Sequence, residues 1–78
     1  MTIKAINKKH QTRVNKACQW LAKHNEFDRQ RNEADGLGDN LGWTKANRNC
    51  ERTFDKFLEY IEELPKREAD RIYNSDLY

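Results

Sequence analysis

Asp35-Gly36-Leu37-Gly38-Asp39-Asn40-Leu41-Gly42 holds all three glycines of a 78-residue chain. Glycine costs roughly 1 kcal/mol relative to alanine inside a helix and suits turns. The octapeptide therefore reads as a loop over 35–42, and it separates two stretches of helical periodicity. The stretch after it is the cleaner. Trp43, Ala46, Cys50, Phe54, Phe57, Ile61 and Leu64 recur at steps of three and four residues, and Leu58 widens the stripe. That spacing predicts a helix over about 43–64, with Thr44 as its N-cap.

Before the loop, Ile3, Ile6, His10, Val14, Ala17, Leu21 and His24 share one face of a helix over about 2–33. Cys18 borders that face on one side, Trp20 and Phe27 on the other. Pro65 is the only proline. It interrupts a helix interior but suits a first turn, and Ala69, Ile72 and Tyr73 then predict a short helix over about 65–74. No stretch alternates with period two, so no sheet is expected. The expected fold class is all-α: one domain over 1–78, built as an antiparallel hairpin of two long helices plus a short C-terminal third helix. A short chain buries a small core, so dimerisation or a partner is expected to complete it.

A loop centred near residue 38 makes facing residues sum to roughly 77. Phe27 then faces Cys50, Leu21 lies near Phe57, and Val14 lies near Ile61 and Leu64. Cys18 and Cys50 are the only cysteines. This register offsets them by ~13 Å along the axis at 1.5 Å per residue, too far for a disulfide. Free thiols and a reducing, cytoplasmic setting are expected.

Catalytic, cofactor-binding and metal-ligating sets are not expected. His10 and His24 are the only histidines, and they lie ~21 Å apart along one helix. Neither cysteine has a histidine at helical spacing, so no activated nucleophile is anticipated. A calcium loop starting at Asp35 would need oxygen ligands where Leu37 and Ala46 stand.

Charge is distributed unevenly. Residues 1–25 hold six cations and no acid, while all thirteen acids follow. Lys9, Lys16 and Lys23 recur every seven residues, opposite the apolar stripe. Arg13 flanks them, and Trp20 and Phe27 border them. Charged residues make up 36% of the chain, and no apolar run approaches the roughly 20 residues of a membrane span. No leader segment is expected either, because the first residues carry charge where an apolar run would stand.

These features point to a non-enzymatic interaction module that binds and modulates a partner protein. Lys9, Arg13, Lys16, Trp20, Lys23, Tyr60 and Tyr73 are the candidate partner-binding residues. The alternative is a DNA- or RNA-binding protein that uses the basic face of the first helix. A homodimer fits either reading. The proportions are those of small accessory proteins of phages and mobile elements, without a motif that marks one.

Overall fold

The computed structural model describes residues 3–78. A single 3-10 turn, Lys8–His10, precedes three α-helices: α1 (Gln11–Leu37), α2 (Asn40–Glu62) and α3 (Lys66–Tyr73). Among the described residues there is no strand. α1 and α2 form the expected antiparallel hairpin, and the molecule measures 45 × 20 × 16 Å.

The first helix starts later than its periodicity suggested. Residues 3–7 run outside any helix, and Lys9 sits in the 3-10 turn instead of a seven-residue stripe. Three polar side chains hold this segment. Asn7 accepts from the Lys9 amide at 3.1 Å. Gln11 accepts from the Ala5 amide at 2.8 Å and donates to the Ile3 carbonyl at 2.9 Å. Glu68 of α3 accepts from the Ile6 amide at 2.6 Å. Ile3 and Ala5 reach the core by this extended route, and Ile6 stays exposed. Residue 2, where the helix was expected to begin, lies outside the described residues.

The break between the long helices is much shorter than 35–42. Only Gly38 and Asp39 stand between α1 and α2. Gly38 takes the left-handed conformation, φ 70°, that side chains avoid. The Asp39 amide donates back to the Ala34 carbonyl at 2.9 Å and Gly38 to Asp35 at 3.2 Å, the paired bonds of a glycine-terminated helix. Asp39, not Thr44, is the N-cap of α2, accepting from the Gly42 amide at 3.0 Å. A Cβ at Gly42 would lie 2.3 Å from that carboxylate. Thr44 turns its hydroxyl to the Asn40 carbonyl inside the helix. Glycine propensity lost to the hydrogen bonds of two continuous helices at Gly36 and Gly42.

The core occupies the open end of the hairpin. Val14, Ala17, Cys18 and Leu21 of α1 meet Phe57, Ile61 and Leu64, and Ile72 of α3 seals them. Phe54 packs at the edge of this cluster and is only partly buried. Pro65 starts α3, with its carbonyl accepting from the Glu68 and Ala69 amides. The chain end folds back on the same side: Asn25 donates to the Leu77 carbonyl at 2.7 Å, and Tyr73 and Tyr78 pack on Phe57. Cys18 and Cys50 are both buried free thiols.

The far end is thinner. Beyond Leu21, Ala34 is the only buried residue of α1. Leu37 and Leu41 are 83% and 85% exposed, and Trp43 is 39% exposed. No third layer of described residues covers this distal half.

Candidate partner-binding groove

Helical rotation places Trp20, Lys23, Phe27 and Gln30 along one edge of α1. Asn49, Arg52 and Lys56 line the facing edge of α2. Between them lies a hollow of about 450 Å³. Trp20 and Phe27 supply its apolar surface. Thr53 is buried beside it, and its hydroxyl is spent on the Asn49 and Cys50 carbonyls. A second hollow of about 450 Å³ continues towards the turn, sharing Phe27, Gln30 and Asn49 and ending at Leu37 and Asp39. The two make one groove, and no residue of α3 lines it.

The groove is electrically polar along its length. Lys23, Arg52 and Lys56 stand at the Trp20 end. Glu33 and Asp39 stand at the turn end, with Lys45 among them. Lys23 lies over the Trp20 ring, its Nζ 4.5 Å from the centroid, which fixes the cation at the mouth of the apolar hollow. Glu26 is tied to Arg29 at 2.5 Å on its own helix, which holds its carboxyl below the ordinary range.

The structure brings Trp20 and Lys23 together and separates the other sequence candidates. Lys16 extends the line of Lys23 beyond the groove and is exposed. Arg13 forms an ion pair with Glu63 across the hairpin. Tyr60 packs against the core cluster. Tyr73 lies in the aromatic cluster with Phe57 and Tyr78, where burial pushes its phenol up. Arg52, Lys56, Asn49 and Gln30 were missed: Arg52 falls opposite the apolar stripe, and Gln30 stands in a wholly polar stretch. The signal for the three on α2 is the spacing 45, 49, 52, 56, which runs along one side of that helix.

A second cleft, about 190 Å³, lies across the seam and is lined by His24, Arg31, Cys50, Glu51, Phe54 and Asp55. It corrects the expectation that neither cysteine meets a histidine: His24 Nδ1 sits 3.4 Å from Cys50 Sγ. The pairing crosses the hairpin and is invisible to helical spacing. His24 Nδ1 is also 2.9 Å from the Cys50 carbonyl oxygen. A carbonyl only accepts, so this nitrogen carries its proton and donates. Burial pushes the Cys50 thiol up, the opposite of what a thiolate nucleophile requires. Among the described residues no group of three or more His, Cys, Asp or Glu side chains could hold a metal ion. No described helix is long and apolar enough to cross a membrane.

Comparisons with protein-family models, with characterised proteins and with solved structures gave no match.

Proposed function

We propose that this chain is a small, non-enzymatic helical interaction module that binds and modulates a partner protein through the distal half of its hairpin. The observation that carries this reading is the asymmetry of cover. α3, the N-terminal segment and the chain end all pack on the open end. The distal half leaves Leu37, Leu41 and Trp43 exposed beside an apolar groove. These three side chains lie on different faces around the turn, and each offers exposed apolar surface to a partner. Two free, buried thiols fit a reducing, cytoplasmic setting.

The test is capture of the partner with tagged protein after nuclease treatment, followed by titration of the purified pair at two salt concentrations. Leu41→Asp and Trp43→Ala, each shown to be folded by circular dichroism, lose binding under this reading. Binding also varies little with salt.

One observation favours nucleic acid as a second reading. Lys4, Lys8, Lys9, Lys16 and Lys23 have no ion-pair partner among the described residues. Under that reading a triple replacement of Lys9, Lys16 and Lys23 by Glu abolishes binding, affinity falls steeply with salt, and Leu41→Asp is harmless.

A further inference from the structure

We infer that the occupant of the groove is a second copy of this chain, laid antiparallel about a two-fold axis over Phe27 and Gln30. This rests on the reading of the distal half as an interaction surface, and it names the partner of one side of that half. A two-fold contact must be self-complementary: whatever one end of the patch offers, the other end must accept. The groove meets that condition in two independent ways.

The first is charge. Lys23, Arg52 and Lys56 outnumber Glu26 at one end, and Glu33 and Asp39 outnumber Lys45 at the other. Along α1, Lys23 lies ~8 Å from the level of the axis and Glu33 ~7 Å on the other side, at 1.5 Å per residue. Rotation by a half turn therefore brings Lys23 of each copy level with Glu33 of the other. Glu33 already meets Arg29 at 3.1 Å, but both side chains are more than half exposed. Such a surface pair is worth little and exchanges readily.

The second is shape. Leu37 stands 83% exposed at the turn end, while the hollow beside Trp20 is open at the other. The separation of residues 20 and 37 is ~26 Å. The same rotation brings Leu37 of each copy level with the hollow beside Trp20 of its partner, so each subunit supplies an apolar side chain to the other's hollow. Phe27 meets its own counterpart near the axis.

A contact ~26 Å long that takes in the rims of the groove across the full 20 Å width of the molecule covers at most roughly 500 Å² per subunit, or about 1,000 Å² in all, which reaches only the lower bound for a specific interface. The product is a four-helix arrangement with the distal halves buried against each other. Leu41 and Trp43, which do not line the groove, remain free at the two ends for another protein.

The experiment is sedimentation equilibrium of the intact chain from micromolar to millimolar concentration, on the parent and on two charge variants. The parent moves from 9.4 kDa to twice that mass as concentration rises. Lys23→Glu with Arg52→Glu remains monomeric, because like charges now face each other. Glu33→Lys remains monomeric for the same reason. An equimolar mixture of the two variants recovers the doubled mass, because each replaced charge again meets an opposite one. Leu37→Asp abolishes dimerisation on its own. A parent that stays at 9.4 kDa throughout overturns the second copy, and the interaction-module reading then stands or falls separately on Leu41→Asp and Trp43→Ala. A dimer that survives Leu37→Asp, or a mixture that fails to recover one, overturns the groove pairing.

Discussion

His24 donates through Nδ1 to the backbone carbonyl of Cys50, 2.9 Å away and 26 residues along the chain. The ring also packs on Phe54, with centroids 4.9 Å apart. This contact joins α1 and α2 at the point where the three-layered core gives way to the bare hairpin. His24→Ala removes a hydrogen bond and an aromatic contact there, and is expected to cost about 1–2 kcal/mol. Urea denaturation of parent and variant at neutral pH checks this. Equal midpoints would show that the histidine is idle.

Phe57 is fully buried between Leu21, Ile61 and Ile72. Phe57→Ala is expected to cost about 3–5 kcal/mol, close to the whole stability of a small domain. The variant should lack a cooperative thermal transition. A variant that melts within a degree or two of the parent contradicts the assigned core.

The three glycines should respond in three different ways to alanine. Gly36 lies inside α1 with nothing within 4 Å of an added Cβ, so Gly36→Ala stabilises by about 0.5–1 kcal/mol. Gly38→Ala forces a side chain into a left-handed residue and costs about 1–2 kcal/mol. Gly42→Ala drives the Asp39 carboxylate off its cap and costs about 1 kcal/mol or more. Three melting curves suffice, and a stabilising Gly38→Ala contradicts the turn described here.

Those glycines also show how far the sequence could be read. Their clustering located the turn correctly, but propensity alone widened it to eight residues. The winning term was the uninterrupted hydrogen bonding of α1 and α2, with a cap and a terminator packed into Gly38 and Asp39. The stripe of α2 was legible at Ala46, Cys50, Phe57 and Ile61, which are buried, whereas Trp43 is exposed, Phe54 only partly buried, and the buried Thr53 lay outside it. The stripe of the first segment was legible from Val14 onward. Ile3 and Ile6 continued its spacing by coincidence, since Asn7, Gln11 and Glu68 tie that segment down in extended form. The groove was half legible. Trp20 and Phe27 stood at the edge of the stripe and Lys23 on the opposite side, whereas Arg52 and Lys56 join them only through the hairpin register. A register with facing residues summing to about 77 put Phe27 opposite Cys50, so the contact of His24, nearly a turn away, was not foreseen.

Alkaline pH should weaken the fold. Burial raises the Cys18 and Cys50 thiols above their ordinary value of 9.0 and the Tyr73 phenol above 10.0. The folded chain therefore holds these protons longer than the unfolded chain. Their contribution to stability is fully present below about pH 9 and is lost as pH rises through the folded values. Urea midpoints should agree at neutral pH and about pH 8 and fall by about pH 10.5. A midpoint that rises above pH 9 contradicts the burial of the two thiols.

Residue-resolved amide hydrogen exchange, on the dilute chain and on the chain bound to its partner, tests the division of the hairpin most directly. In the dilute chain, Val14–Leu21 and Phe57–Ile61 should exchange slowest, and the helical amides around Gln30–Leu37 and Asn40–Asn49 much faster. Binding, whether by a second copy or another protein, should slow the distal amides and leave those of Gln11–Ala17 unchanged. Protection gained at Lys8–Ala17, with none in the distal half, would contradict the account and move the binding face to the basic start of α1.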